Sequence, residues 1–216
     1  MPEMPRQALT AVGFFPTVRD RRRSTIIPLQ RFDLGDGKEF AGYTQQHFAN
    51  KGLPAMSDAV TERFFEGIDE LFQNCAIHSK SEAGVFSSGQ LFPRKDRLDF
   101  SITDIGLGFQ RVVNQKLQRN LGPAAAIDWA MTGSNTTRMG DVPGGLGLKI
   151  LRDFIAKNGG RLVVASYDGY WSEKAGQLTR TTLAQTFPGT AVTIELNTAD
   201  DSSYVMADEI DPAAVF

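Results

Sequence analysis

Residues 66–80 read EGIDELFQNCAIHSK and close a longer segment, residues 55–80, that is patterned as one helix. Its apolar side chains recur at intervals of three and four residues, which is typical of a helix that buries one face. These side chains are Val60, Phe64, Ile68, Leu71, Phe72 and Cys75. Beside them, Glu70, Asn74 and His78 are each four residues apart, so a helix places them one above another. The segment therefore predicts a buried helix with three polar groups along its edge, although a solvated helix flank has the same spacing.

The composition predicts a globular protein of one domain, or of one domain with extensions. Of the 216 residues, 41% are hydrophobic and 22% are charged, as in ordinary folded proteins. The formal net charge of -2 gives no general attraction to nucleic acid or to membranes. The basic run at residues 19–23 is expected to be a solvated loop or a contact for an acidic partner.

The single cysteine excludes a disulfide within the chain, and its place on the apolar stripe predicts a core residue in a reducing compartment. No apolar run is long enough to span a membrane. The first residues lack a basic start followed by a long apolar stretch, so no secretory signal is expected. A soluble, cytoplasmic protein is the expectation.

The rest of the chain predicts a mixture of strands and helices. Strands are expected at 24–29 (an edge strand, because of Pro28), at both arms of a hairpin over 84–104, at 161–167 and at 190–196, and helices at 39–50, 110–121, 124–131 and 148–158. A tight turn is expected at Asp168-Gly169. Residues 122–143 form a long connection, of the kind that often serves as a lid or a binding loop.

Two groups of glycines suggest ligand contacts. In the first, DIGLGF, Asp104 ends a strand and can accept a hydrogen bond from an exocyclic amine such as that of adenine, while Gly106 and Gly108 give room and freedom to the backbone. The second, GGLGL at 144–148, opens a helix, where backbone N–H groups and the helix dipole attract an anion. Each motif alone is also compatible with an ordinary turn or helix start.

Taken in order, Glu70-x-x-x-Asn74, Asp104-x-Gly106-x-Gly108, Gly145-x-Gly147 and Gly189-Thr190 resemble the motifs of the GHKL ATP-binding family. That family includes histidine kinases, DNA gyrase, MutL-type repair proteins, heat-shock chaperones and anti-sigma-factor kinases. The resemblance implies a Bergerat-type α/β sandwich, in which a mixed, largely antiparallel sheet carries helices on one face. It covers residues 55–197 as the ATP-binding domain and leaves an N-terminal extension at 1–54. The acidic, polar composition of residues 198–216 predicts a loose tail unless Tyr204, Val205 or Phe216 docks.

The resemblance also implies roles for single residues. Asn74 would hold a magnesium ion, and Glu70 would orient or deprotonate the attacking water or hydroxyl. Asp104 would read the adenine amino group beside Gly106, with support from Thr190, and His78 would lie near the base. The lid would begin at Gly108 and end at the phosphates; the residues at that end are Gly144, Gly145, Leu146 and Gly147. Arg138 is equally well a phosphate contact or a solvated side chain.

The combination Glu70-x-x-x-Asn74-x-x-x-His78 in a short chain looks most like the anti-sigma-factor serine kinases, which phosphorylate a small partner protein. Two classes of function stay open: an ATPase or serine/threonine kinase with Glu70 as base, and a nucleotide-gated module that binds a partner without turnover. A third interpretation treats the glycines as purely structural. ATP and magnesium are the expected cofactors and a protein partner is expected, whereas a homodimer stays open and nucleic acid and membranes are not expected.

Overall fold

The computed structural model describes residues 25–132 and 146–209. Its strands are β1 (Ile26–Phe32), β2 (Ala55–Met56), β3 (Val85–Phe92), β4 (Arg97–Asp104), β5 (Arg161–Lys174), β6 (Gln177–Asn197) and β7 (Ser203–Tyr204). Its helices are α1 (Gly37–Phe48), α2 (Asp58–His78), α3 (Gly108–Leu117), α4 (Pro123–Met131) and α5 (Leu146–Lys157). A 3-10 turn, Pro93–Lys95, joins β3 to β4, and a second one follows at Ala207–Glu209.

The central sheet has five strands in the order β1-β3-β4-β6-β5, and every neighbouring pair is antiparallel. The expected α+β architecture is therefore observed, with an antiparallel rather than a mixed central sheet. Within the two described ranges, the parallel pairing is that of β2 with β7, in a separate two-stranded sheet. As expected, β1 is an edge strand, and its register shifts between Ile27 and Gln30 around Pro28.

The core lies between one face of the sheet and the helices. On β4, Leu98, Phe100, Ile102 and Asp104 are buried while the residues between them are half-buried, as in a strand with one covered face. Helix α2 packs its apolar stripe against this face, and all six side chains expected in that stripe are buried. Stacked and edge-on aromatic rings fill the space beside it; they belong to Phe32, Phe40, Tyr43, Phe72 and Phe100.

Helix α2 begins three residues later than the sequence pattern suggests. The Ser57 hydroxyl accepts a hydrogen bond from the Val60 backbone N–H at 3.2 Å, which caps the first turn. The preceding residues are instead taken into β2, where Met56 pairs with Tyr204. Since the Tyr204 ring also contacts Phe154, the described part of the tail packs on the domain, as its expected docking requires.

The expected tight turn at Asp168-Gly169 is wrong, because β5 continues through it to Lys174. The hairpin turns at Ala175 and Gly176, whose φ angles are both positive, at 50° and 74°. Gly169 has a different reason to be glycine: a Cβ there would lie 2.8 Å from the Pro123 carbonyl carbon. The glycine marks where α4 approaches the strand rather than where the chain reverses.

Some of the sequence expectations fall wholly or partly outside the residues that the structure describes. The basic run at 19–23 lies outside the described residues, as do Arg138 and Phe216. Of the expected loop 122–143, residues 123–131 form α4, which buries Ala126 and Ile127. No helix within 25–132 and 146–209 combines the length and the hydropathy that crossing a membrane requires.

Candidate functional site

One cavity lies between the last turns of α2, the end of β4, and helices α3, α4 and α5. Its volume is about 100 Å³, several times the space that one water molecule needs. Six of the residues expected to form a nucleotide site line it; they are Glu70, Asn74, His78, Asp104, Gly108 and Thr190. The fold thus gathers side chains from three separate sequence motifs around one space.

The row of polar residues on α2 forms one side of the cavity. Glu70, Asn74 and His78 are half-buried, and each contributes to the cavity wall. The neighbouring core positions Leu71 and Cys75 line the same cavity. The helix therefore turns its apolar stripe into the core and presents the edge of that stripe, with its polar groups, to a cavity rather than to bulk solvent.

Asp104, at the end of β4, lines the cavity and has 2% of its surface exposed. Its Oδ1 accepts a hydrogen bond from the Gly106 backbone N–H at 2.9 Å. Burial raises the pKa of this carboxyl to about 6, although hydrogen bonds from the Cys75 thiol and from Gly106 oppose the rise. A buried carboxylate with this pKa is largely ionised at neutral pH and attracts a hydrogen-bond donor.

The glycines after β4 are required by close packing. A Cβ on Gly106 would collide with the carbonyl oxygen of Ser79, at the C-terminal end of α2, and the Leu107 N–H donates to that same oxygen at 2.7 Å. Gly108 begins α3 with φ of 68°, and a Cβ there would lie 2.5 Å from the Tyr167 ring. Gly108 lines the cavity, whereas Gly106 lies behind the wall and ties β4 to α2.

Ser166 on β5 connects the strands and helix around the cavity, and the sequence offered no signal for it. Its buried hydroxyl accepts from the Phe109 N–H at 3.0 Å and donates to the Gly189 carbonyl at 3.0 Å. It also lies 3.1 Å from the Thr190 hydroxyl. Thr190 pairs with Asp104 across β4 and β6, so this network fixes the wall beside the carboxylate.

Apolar side chains form the remaining wall, and sequence patterns did not assign them to a site. They are Phe109, Val112, Val113, Trp129, Ala130, Met131, Leu148 and Val192. Most belong to α3 and α4, the helices that follow the DIGLGF motif. A cavity with mostly apolar walls and a few converging polar groups is the usual form of a small-molecule site.

Glu70 contacts the first turn of α5. Its Oε2 accepts a hydrogen bond from the Leu148 backbone N–H at 3.0 Å. The free N–H groups at a helix start carry partial positive charge and attract anions. In this structure a carboxylate of the protein itself satisfies one of these N–H groups.

The other residues expected at this helix start are only partly described. Leu146 and Gly147 lie in the first turn of α5. Gly144, Gly145 and Arg138 lie outside the described residues.

The donor atoms at this end of the cavity suit magnesium. Glu70 and Asn74 offer a carboxylate and an amide oxygen, and Mg²⁺ prefers oxygen ligands and usually takes one or two from the protein, with water and phosphate completing its shell. No group of three or more histidine, cysteine or acidic side chains in the described parts of the chain could hold a metal by itself. Such a cluster is not needed for an ion that substrate phosphates help to hold.

The sequence matches no protein-family model, and it matches no curated protein.

Proposed function

We propose that the protein binds ATP with magnesium in this cavity and transfers the terminal phosphoryl group to water or to a hydroxyl of a partner protein. The observation that carries the proposal is the meeting of Glu70, Asn74, Asp104 and Thr190 in one cavity, although the sequence separates them by as many as 120 positions. These are the residues to which the GHKL resemblance gives roles. A chance arrangement of helix flanks and turn glycines does not require them to meet.

The base end of the proposed site is the region around Asp104. A carboxylate with one oxygen already bonded to the Gly106 N–H retains lone pairs for a further donor, and the exocyclic amine of adenine is such a donor. The apolar side chains of Val113 and Val192 line the same cavity and suit the faces of a flat ring. Thr190, whose hydroxyl lies beside that of Ser166, pairs with Asp104 across β4 and β6.

The phosphate end is the region between Glu70 and the start of α5. The positive end of the α5 dipole favours phosphate there. Magnesium, when bound, neutralises part of the phosphate charge, and Asn74 is the residue proposed to hold it. Glu70, one helical turn away, is positioned to accept a proton from water or from a partner's hydroxyl.

The proposed fold is the Bergerat type, and the observed antiparallel sheet with helices packed on it supports that assignment. Strands β1, β3, β4, β6 and β5 supply the sheet, while α2 and α5, which pack against each other, supply the two helices nearest the phosphates. Within this family, a kinase that acts on a serine or threonine of a small protein agrees best with the combination Glu70-x-x-x-Asn74-x-x-x-His78.

A nucleotide-gated binding module is the second candidate. The hydrogen bond from Leu148 N–H to Glu70 favours it, because that bond gives the carboxylate a structural task at the start of α5. In such a module, ATP would displace or share this contact and thereby reposition α5 for a partner, without turnover.

Phosphate release separates the two candidates. The purified chain is incubated with ATP and Mg²⁺, alone and with proteins that co-purify in the presence of a non-hydrolysable ATP analogue. Phosphate release or labelling of a partner supports the enzyme. Saturable ATP binding with neither release nor transfer supports the module, and absence of ATP binding contradicts both.

A further inference from the structure

Helix α4 contributes residues 129–131 to the wall of the cavity, and other elements hold the helix on both sides of this stretch. On the N-terminal side, Asp128 Oδ1 accepts a hydrogen bond from the Trp171 indole N–H of β5 at 3.0 Å. Arg180 Nε of β6 lies 2.8 Å from the same oxygen. These contacts tie the beginning of the wall stretch to the β5–β6 hairpin.

Arg152 of α5 holds the other side of the stretch. Its Nη1–H donates to the backbone carbonyl of Met131. Its Nε–H and Nη2–H both donate to Glu173 Oε2 on β5, at 2.9 and 2.6 Å, and its guanidinium lies 5.4 Å from the centre of the Trp171 ring. The Arg152 and Glu173 side chains are 21% and 19% exposed, so water screens this pair less than an ion pair on the open surface. Arg152 is thus fixed against β5 and reaches from there to α4.

The Met131 carbonyl is a group that α4 cannot satisfy by itself. The last four carbonyls of a helix lack partners within the helix and carry partial negative charge. Two of them are bonded locally, since the Thr132 hydroxyl donates to the Asp128 carbonyl and the Thr132 N–H donates to that of Trp129. The Met131 carbonyl is bonded instead to a cation on a separate helix. The place of the last turn of α4 therefore depends on α5.

We propose that Arg152 is a positioning residue for the ligand site, which ties the α4 wall of the cavity to α5. This inference rests on the proposed function for the identity of the ligand, and it adds a residue beyond the cavity wall on which affinity depends. Leu148, one turn before Arg152 on α5, lines the cavity and donates its N–H to Glu70. Arg152 thus sets the place of the α4 wall relative to the helix start that the phosphates are proposed to contact.

A purely structural ion pair makes different predictions. If Arg152 only stabilised the fold, its loss would lower the free energy of unfolding and leave fewer molecules able to bind, while the folded molecules would bind as before. If Arg152 positions the wall, the folded molecules themselves change. The dissociation constant then rises, and the number of binding sites per chain stays the same.

The first arm of the test needs no nucleotide and compares amide hydrogen exchange in the parent and in Arg152→Met, which keeps an apolar stem. The amides of residues 128–131 should exchange about 2- to 12-fold faster in the variant, the equivalent of one net hydrogen bond, while those of α2 keep the parent rate. Arg180→Met is the matched control, because Arg180 pairs with the same helix from a side chain that is 42% exposed. Its effect should stay within about twofold. Unchanged exchange at residues 128–131, or equal acceleration in α2 and α4, overturns the proposal.

The second arm titrates ATP with Mg²⁺ into the parent and both variants by calorimetry. Arg152→Met should raise the dissociation constant about 2- to 12-fold with the number of sites unchanged, and Arg180→Met should stay within about twofold of the parent. If Arg152→Met does not fold, Glu173→Gln takes its place in both arms, since it keeps the side-chain shape, removes the charge that holds the guanidinium, and should act in the same direction.

Fewer binding sites with an unchanged dissociation constant overturn the proposal. If the parent does not bind ATP although exchange in α4 responds to Arg152, the proposed function fails, and the role of Arg152 in nucleotide binding fails with it, while the tie between α4 and α5 is supported.

Discussion

The carboxylates at the two ends of the cavity differ in burial, because Asp104 is buried whereas Glu70 is half-buried. At the base end, Asp104 accepts a hydrogen bond from the Gly106 N–H, and Ser166 joins Phe109, Gly189 and Thr190. At the phosphate end, Glu70 accepts a hydrogen bond from the Leu148 N–H. The base end is a set of buried groups fixed by hydrogen bonds, whereas the phosphate end is a half-buried carboxylate against the start of a helix.

This difference indicates where specificity and chemistry reside in the proposed function. A buried, pre-organised acceptor costs little to align when a ligand arrives, so it suits recognition. A half-buried carboxylate at a helix start can exchange one partner for another, which suits proton transfer or a switch. Substitutions at the base end should therefore change binding, while substitutions at the phosphate end should change turnover.

The largest expected effect is that of Glu70→Gln. This change keeps the shape of the side chain and removes the base, so turnover should fall about 10²- to 10⁴-fold while ATP affinity stays close to that of the parent. Phosphate release and calorimetry measure the two quantities. Glu66→Gln, one turn earlier and ion-paired on the surface with Arg63, is the matched control and should turn over normally. Turnover in Glu70→Gln equal to that of the parent would contradict the role of Glu70 as the base at the phosphate end.

Asp104→Asn tests the base end through binding. The neutral side chain can turn an N–H₂ towards the adenine amine, and loss of a hydrogen bond to a charged group amounts to about 1.5–3 kcal/mol, or roughly 10- to 150-fold in affinity. Calorimetric titration with ATP provides the measurement. Asp99→Asn, on the same strand but on the alternate face, should bind as the parent does. Unchanged affinity in Asp104→Asn would contradict the adenine assignment.

Ser166→Ala tests whether the base end is held by its hydrogen-bond network. The change leaves the Phe109 N–H and the Gly189 carbonyl without this partner, so the free energy of unfolding should fall by about 1–3 kcal/mol. Denaturant titration measures it. Ser101→Ala, which removes a half-buried hydroxyl pair with Thr193 on the other face of the sheet, should cost less. If both substitutions lower the free energy of unfolding equally, the hydrogen bonds at the buried site contribute no more to stability than those on the open face of the sheet.

The pH dependence of stability tests the burial of Asp104. The pKa of Asp104 rises from 3.8 to about 6 on folding. A pKa difference of that size corresponds to a free-energy difference on the order of 3 kcal/mol between the protonated and ionised forms. Because the folded-state pKa is the higher one, the group contributes most to stability below pH 4, and this contribution is lost as the pH rises through 6.

Asp104→Asn should accordingly be the more stable protein at pH 7.5, by about 1–2 kcal/mol after allowance for the amide's own unmet hydrogen bonds. At pH 4 the difference should disappear. Urea unfolding of both proteins at the two pH values checks this. If Asp104→Asn is less stable than the parent at pH 7.5, hydrogen bonds in the folded protein fully offset the cost of burying the ionised carboxylate, and the prediction is wrong.

The sequence predicts the parts of this molecule that follow local periodicity. The apolar intervals of α2, the alternation in β4 and a helix start at GGLGL all appear, although α2 begins three residues later and α5 two residues earlier than predicted. The continuous course of β5 was missed, because Asp168-Gly169 has the composition of a hairpin turn. Gly169 is needed there because α4 packs too closely for a side chain, and α4 lies some forty positions earlier in the chain.

The candidate site shows the same division. Glu70, Asn74 and Asp104 belong to motifs whose residue types and order are visible in the chain. No sequence motif marks Ser166, because its hydroxyl gains its role only when folding brings the Phe109 N–H and the Gly189 carbonyl to it. The apolar wall from α3 and α4 is equally a product of tertiary packing.

The central claim is that the cavity selects an adenine nucleotide, and calorimetric titration of the unmodified protein with Mg²⁺ and either ATP or GTP tests it most directly. We expect one-site, saturable binding of ATP, with GTP weaker by at least about 10-fold, because the GTP carbonyl would face the Asp104 carboxylate. Equal affinity for the two nucleotides, or no binding of ATP, would contradict it.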